Sequence, residues 1–175
     1  MMKMENEMNV NVPLEVVKAS EIEPKEVKWL WYPYIPFGKV TLLQGDPGDG
    51  KSKLMLSIAA LLSKGEPLPF TEEETEPMTD IYQTTEDDAD DTVVPRFNSA
   101  GGNGENLIFI KEDEKSLSFG DNRIAEAIER YHAKLLILDP MSSYIGEGCS
   151  MNNANETRAE FNHLMAVAKI PAVRL

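Results

Sequence analysis

Short apolar runs alternate with amphipathic stretches along most of the chain. Four runs have the length and apolar content of strands, and they occupy residues 39–44, 80–85, 107–110 and 135–139. Between and after them, apolar side chains recur at helical spacing in residues 54–62, 124–131 and 154–168, and a further helix is predicted after the acidic run 86–91, through Val94. Strands that alternate with helices predict an α/β fold, in which helices cover both faces of a mainly parallel sheet.

The two ends of the chain depart from this pattern. Residues 1–28 are polar or charged and lack periodicity, which predicts a partly disordered N-terminal arm ahead of a core of residues 29–175. The aromatic cluster at 29–36 comes just before the first strand. Packing of the arm over the sheet is the favoured interpretation of this cluster, and stacking of a nucleobase on one ring is the alternative. Residues 172–175 look like the start of a further strand.

Composition narrows the class of protein. The 175 residues are enough for one domain with a core, and the formal net charge of −13 repels nucleic acid on average without excluding a local basic loop. Cys149 is the only cysteine, so no intrachain disulfide can form, and a reducing cytoplasm is the expected compartment. No apolar run is long enough to span a membrane, and the N-terminus lacks the apolar region of a signal peptide.

The main chemical motif lies between the first strand and the first helix. Residues 45–52, with the sequence GDPGDGKS, fit the phosphate-binding pattern of glycine, four free positions, then Gly-Lys-Ser. Glycines adopt positive φ without penalty, so the backbone can turn its N–H groups inward around an anion. Lys51 then reaches the β- and γ-phosphates, and the Ser52 hydroxyl can ligate Mg²⁺. The alternative is a glycine-rich turn without a ligand.

The predicted nucleotide-binding residues are Gly45, Asp46, Pro47, Gly48, Asp49, Gly50, Lys51, Ser52 and Lys53. Asp46 and Asp49 are unusual in a loop that binds an anion, but their side chains can point to solvent while the amides point inward. Lys53 lies one residue beyond the motif, where it can touch the nucleotide or remain a solvated charge.

Acidic residues follow two of the predicted strands. Asp139 ends an apolar run, and at the carboxyl end of a neighbouring strand it would hold the Mg²⁺ shell. The alternative is an ordinary last strand residue before Pro140. Glu86 follows the second strand, where it can orient or deprotonate the attacking water; alternatively, the acids here complement a helix dipole, and Asp87 is a second candidate base. The predicted catalytic residues are Glu86 and Lys51, and the predicted metal ligands are Ser52 and Asp139.

Several motifs together resemble one family. Residues 34–40 (YIPFGKV) lead into the phosphate loop, residues 85–88 (TEDD) follow the second strand, and residues 138–146 (LDPMSSYIG) contain the last acid. In this combination the chain from about Trp29 to Ala168 resembles the RecA-like ATPases of the RepA/DnaB helicase type, the AAA_25 group.

The resemblance implies a RecA-like P-loop core that binds ATP with Mg²⁺ and forms a homo-oligomeric ring or filament, with ATP between subunits and single-stranded DNA as a candidate partner. It assigns the catalytic base to Glu86, the Walker A pair to Lys51 and Ser52, and the Walker B acid to Asp139. By analogy, the loop 142–144 faces a channel or substrate. Related proteins act in plasmid or phage replication and in recombination. They continue past the final helix into a strand with a polar sensor, so the core is expected to be incomplete at its C-terminal end.

Three functions fit these features. The first is the ATP-hydrolysing core of a replicative-helicase or recombinase-like protein. The second is a non-hydrolysing module that binds nucleotide as a structural or regulatory ligand. A small-molecule kinase is the third, and it is the weakest because no arginine-rich lid follows the last acidic strand.

Overall fold

The computed structural model describes residues 13–112, 115–146 and 154–170, with side chains from residue 158 onward in the last range. The regular elements are β1 Trp29–Trp31, β2 Ile35–Pro36, α1 Lys51–Leu62, β3 Asp80–Thr84, α2 Val94–Ser99, β4 Leu107–Ile108, α3 Asn122–Tyr131, β5 Leu135–Asp139 and α4 Ala154–Ala168. Shorter helical turns lie at Ala19–Glu21, Ala89–Val93, Gly104–Asn106 and Met141–Tyr144. The strand expected at residues 172–175 lies outside the described residues.

The main sheet has three parallel strands in the order β4-β3-β5. Tyr82 of β3 pairs with Ile137 of β5, and Thr84 pairs with Asp139. Helices intervene between these strands in the chain, since α2 lies between β3 and β4, and α3 lies between β4 and β5. The predicted α/β fold with a parallel sheet is therefore confirmed.

Helices cover both faces of this sheet. Successive residues of a strand point to opposite sides, so each face packs against its own helices. Tyr82 belongs to one buried cluster with Leu56 of α1 and Phe97 of α2. Its neighbour Ile81 belongs to a second cluster that contains Ile124 of α3 and Leu164 of α4. Among the described residues, no helix combines the length and apolar character that crossing a membrane requires.

The prediction of a strand at residues 39–44 is wrong for this structure. The segment has no strand pairing, and Val40, Leu42 and Leu43 are 38%, 63% and 44% exposed. A strand needs neighbours for its N–H and C=O groups. Within the described part of the chain, β5 pairs only with β3. The apolar pattern of residues 39–44 predicts a buried strand, but the described part of the chain contains no neighbouring strand that would bury it.

The strand predicted at 107–110 is also shorter than expected, since β4 ends at Ile108. Beyond it, the Gln83 side chain of β3 replaces the strand pairing. The Ile110 N–H donates to Gln83 Oε1 at 2.6 Å, and Gln83 Nε2 donates to the Ile110 carbonyl at 3.1 Å and to Glu112 Oε1 at 3.0 Å. The Gln83 side-chain amide thus forms the hydrogen bonds with the Ile110 N–H and carbonyl that a neighbouring strand was predicted to form.

The aromatic cluster forms the β1–β2 hairpin, whose two strands are antiparallel. Trp31 is buried in the cluster that contains α1, and its Nε1 donates to the Pro69 carbonyl at 2.9 Å. Trp29, Tyr32 and Tyr34 are 36%, 65% and 50% exposed. The expected packing therefore holds for one ring of the cluster, and the others face outward.

An acidic loop, residues 66–77, connects α1 to β3 and is tied back to the end of α1. The Thr75 N–H donates to the Gly65 carbonyl and the Met78 N–H donates to the Leu62 carbonyl, both at 2.9 Å. Gly65 has a φ of +73°, and a Cβ at this position would collide with the Thr75 carbonyl. Both ends of the loop are therefore fixed next to each other, while residues 72–77 are exposed.

Candidate functional site

The phosphate-loop residues form a tight turn at the N-terminus of α1. Gly48 and Gly50 have φ of +90° and +82°, values that side chains rarely adopt. The Asp49 N–H donates to the Asp46 carbonyl at 3.2 Å, which closes the turn, and α1 begins at Lys51. The loop therefore ends directly at a helix N-terminus, as the sequence predicts. Residues 45–50 are exposed, and so is the side chain of Lys53.

Lys51 lies across the loop that precedes it. Its ammonium donates to the carbonyl oxygens of Gly45 and Asp46, each at 2.8 Å. Both acceptors are neutral, and a hydrogen bond from an ammonium to an anionic phosphate is stronger than one to a neutral carbonyl. The Lys51 ammonium therefore lies against the phosphate loop, and a phosphate oxygen can replace either of these two carbonyl acceptors.

The Asp49 side chain was expected to point to solvent, but it turns back into the phosphate loop. Its Oδ2 accepts a hydrogen bond from the Asp46 N–H at 2.7 Å, within the loop itself. A carboxylate of the chain thus occupies one of the amides that the motif would offer to an anion. This contact also brings a negative charge into the loop.

Ser52 and Asp139 meet although 87 residues separate them in the chain. Ser52 Oγ donates to Asp139 Oδ2 at 2.5 Å, which joins the first turn of α1 to the end of β5. The Tyr82 hydroxyl donates to the same oxygen at 2.9 Å. The two predicted metal ligands are therefore adjacent, on the edge of the sheet where β5 ends.

Tyr82 is a site residue that the sequence did not indicate. It is 1% exposed, and burial first and the charge of Asp139 second raise its pKa well above the ordinary value of a tyrosine. Its hydroxyl therefore stays protonated and remains a donor to Asp139. A tyrosine in an apolar strand is typical of a core, and only the register with β5 shows what its hydroxyl contacts.

Glu86 and Asp87 follow β3 on the same edge of the sheet, because Thr84 pairs with Asp139. Arg96 Nη1 lies 2.9 Å from Asp87 Oδ2, so Asp87 forms an ion pair with α2. Glu86 is exposed, and no described residue donates a hydrogen bond to its carboxylate; its N–H donates to Thr84 Oγ1 at 3.2 Å. Of the two candidate bases, Glu86 is the one whose carboxylate remains available to a ligand.

Comparison with known proteins places these features in a family. A protein-family model described as an AAA domain matches residues 7–170. The chain belongs to this AAA family. The family is one of AAA-type P-loop ATPases, so nucleotide binding is the property that its members share. No curated protein and no solved structure matches the chain.

The turn that follows β5 in the AAA domain, expected to face a channel or substrate at 142–144, has Ser142 and Ser143 exposed and departs from that expectation only at Tyr144. Tyr144 is fully buried in the cluster that contains Ile124, so this residue is part of the core. Ser143 Oγ accepts a hydrogen bond from Thr85 Oγ1 at 2.7 Å. This bond links the turn after β5 to the end of β3.

The oxygen donors of the AAA domain fit Mg²⁺. Ser52 supplies a hydroxyl and Asp139 a carboxylate, and Mg²⁺ usually binds one or two such groups together with phosphate oxygens and water. The described residues contain no cluster of three or more His, Cys, Asp or Glu that could hold a metal ion. Such a pair of donors would leave the remaining positions around Mg²⁺ to phosphate oxygens and water.

Removing the Asp49 carboxylate is expected to strengthen nucleotide binding to the AAA domain. Asp49→Ala frees the Asp46 amide and removes one negative charge from the loop, so we expect the Kd for Mg-ATP to fall about tenfold. Titration with a fluorescent ATP analogue measures this change. Asp46→Ala is the matched control, because it removes the same charge without releasing an amide that Asp49 occupies. Equal gains in the two variants would show that net charge, not the occupied amide, limits binding.

Proposed function

We propose that the AAA domain binds Mg-ATP at residues 45–52 and hydrolyses it, as the ATPase core of a replicative-helicase or recombinase-like protein. The contact between Ser52 and Asp139 carries the proposal, because it unites the end of the phosphate loop with the acid at the end of a neighbouring strand. Neither the first turn of α1, which contains Ser52, nor the end of β5, which contains Asp139, requires this contact in order to form. Their adjacency is what a metal–nucleotide site requires.

Each residue has a role that follows from its position. The backbone amides of the loop and the Lys51 ammonium bind the phosphate oxygens, while Ser52 and Asp139 hold the metal. Mg²⁺, when bound, neutralises charge on the β- and γ-phosphates. Tyr82 keeps the Asp139 carboxylate oriented through its hydrogen bond. Glu86 orients the attacking water and accepts its proton.

Phosphate release from Mg-ATP tests this assignment. Glu86→Gln is expected to bind Mg-ATP as the unaltered protein does and to release phosphate about 100-fold more slowly, since an ionised carboxylate is lost from the water. The matched control is Asp88→Asn, in the same acidic run, whose side chain makes no capping hydrogen bond to the turn that follows. Equal turnover in all three proteins would remove Glu86 from its role.

A second candidate is a module that binds nucleotide without hydrolysing it. The exposed Glu86 carboxylate favours this alternative, because no described residue donates a hydrogen bond that would hold it in position for catalysis. Measurable Mg-ATP binding by the unaltered protein, with no phosphate release under any condition, would support the module and contradict the ATPase.

The proposal also covers assembly, partner and location. It places the protein in the cytoplasm, in a ring or filament with ATP between subunits and single-stranded DNA as a partner. An N-terminal arm of residues 1–28 precedes the core of residues 29–175. The phosphate-release assay is therefore run at several protein concentrations, with and without single-stranded DNA. Stimulation by protein concentration supports assembly, and stimulation by DNA supports the partner.

A further inference from the structure

The turn that follows β3 carries Glu86, and the hydroxyl of Thr84 closes this turn. Thr84 Oγ1 accepts hydrogen bonds from two successive backbone groups, the Glu86 N–H and the Asp87 N–H, each at 3.2 Å. A threonine hydroxyl that binds the backbone two and three residues ahead holds a local turn in place of regular strand pairing. Thr84 therefore fixes the direction in which the chain leaves the sheet.

The Thr84 side chain lies on the face of the sheet that contains the predicted metal ligands. Thr84 is the direct partner of Asp139 in the pairing of β3 with β5. Tyr82 donates to Asp139 Oδ2, and residues two apart on a strand point to the same face. The turn that carries Glu86 thus begins beside the contact between Asp139 and Ser52.

A second hydroxyl contact joins this turn to the chain that follows β5. Thr85 Oγ1 donates to Ser143 Oγ at 2.7 Å, and the Thr85 N–H donates to the Asp139 carbonyl at 3.4 Å. Thr85 and Ser143 are both exposed, so their contact is not part of the buried core. The turn is therefore held from two directions, by the Thr84 hydroxyl and by the end of β5.

The Glu86 side chain has no comparable support of its own. It is exposed, and no described residue donates a hydrogen bond to its carboxylate. A general base acts only within about 2.6–3.2 Å of the atom whose proton it accepts, or through one water. The backbone turn must therefore supply the position of this carboxylate.

We propose that Thr84 is a positioning residue for ATP hydrolysis, because its hydroxyl holds the turn that places Glu86 at the attacking water. The hydrogen bond between Thr85 and Ser143 supports the same turn. This inference rests on the proposed function, since it requires that Glu86 accepts the proton of the water. Neither hydroxyl contacts the nucleotide in this assignment, so the loss of either one slows turnover and leaves Mg-ATP binding unchanged.

Phosphate release at a series of Mg-ATP concentrations tests the proposal. Thr84→Val keeps the shape of the side chain but accepts no hydrogen bond, so kcat is expected to fall about 30-fold while KM changes less than about twofold. Thr84→Ser keeps the acceptor and is expected to restore most of the turnover. The matched control is Thr71→Val in the acidic loop. It removes a hydroxyl that donates to the Leu68 carbonyl and should leave kcat unchanged.

A double variant shows whether Thr84 acts through Glu86. Glu86→Gln has no base to position, so the addition of Thr84→Val is expected to slow phosphate release no further. An equal slowing in the two backgrounds overturns the proposal, because the threonine would then act on the fold or on the metal. Unchanged kcat in Thr84→Val, or a raised KM without a fall in kcat, overturns it as well.

Ser143→Ala keeps the proposal testable if thermal unfolding shows that Thr84→Val does not fold. This substitution removes an exposed acceptor, and kcat is expected to fall about threefold, but only where Glu86 is present. No change in kcat, or the same fall in Glu86→Gln, overturns the proposal. Equal turnover in Glu86→Gln and the unaltered protein contradicts the proposed function itself. Unchanged turnover in Thr84→Val beside a slow Glu86→Gln contradicts the positioning role alone.

Discussion

Replacing Lys51 by alanine is expected to weaken Mg-ATP binding about 100-fold. The substitution removes the cation that reaches the phosphates, and a hydrogen bond to a charged group contributes about 1.5–3 kcal/mol. Isothermal titration calorimetry measures the affinity. Thermal unfolding gives a second measurement, because bound nucleotide raises the stability of the unaltered protein and should no longer do so in the variant.

Lys53→Ala is the control for this experiment. It removes an identical charge two residues further along α1, from an exposed side chain. We expect at most a small loss of affinity, which would remove Lys53 from the predicted nucleotide-binding residues and leave it a solvated charge. Comparable losses in the two variants would mean that the loop responds to total charge, and the specific role of Lys51 would be rejected. Thermal unfolding without nucleotide shows whether either variant is misfolded.

The second large effect concerns Asp80, the first residue of β3, and it is a stability effect that depends on pH. Asp80 is fully buried, and no described residue donates a hydrogen bond to either carboxylate oxygen. Burial raises the pKa of Asp80 well above its ordinary value of 3.8. The folded state therefore retains a proton that the unfolded chain releases. Through this residue the free energy of unfolding falls by about 1.4 kcal/mol per pH unit, starting near pH 4 and continuing up to the raised pKa.

Asp80→Asn lacks this titration, so the variant is expected to be more stable than the unaltered protein at pH 7. The difference should shrink as the pH falls toward 4, by at most about 1.4 kcal/mol per pH unit. Urea unfolding at several pH values measures it. Glu73→Gln, which alters an exposed acid of the acidic loop, should show no comparable trend. A stability difference that does not vary with pH would contradict the proposed cause.

Local sequence patterns were sufficient to predict those elements whose structure depends mainly on their own residues. The glycines of residues 45–50 and the apolar face of α1 predict a turn followed by a helix, and the structure contains both. The apolar run 135–139 predicts a buried parallel strand, and its last residue lies at the edge of the sheet. These predictions depend on backbone freedom and on burial, which a short window of sequence contains.

The remaining features depend on partners distant in the chain. Tyr82 pairs with Ile137, so its hydroxyl lies diagonally across from Asp139 on the same face of the sheet, and this register is not visible in either strand alone. The segment 39–44 has the composition of a strand but lacks a neighbour in the described residues. The Asp49 carboxylate takes a loop amide because the turn brings the two together.

The two ends of the acidic loop are hydrogen-bonded close together, and this has a practical consequence. Residues 66–77 begin and end beside the carboxyl end of α1, whereas the phosphate loop lies at the other end of this helix, about 18 Å away by helix geometry. Lengthening a surface loop costs little, about 0.6 kcal/mol for each doubling. A fluorophore or affinity tag inserted between residues 73 and 74 would therefore report on or immobilise the protein while leaving the nucleotide site untouched.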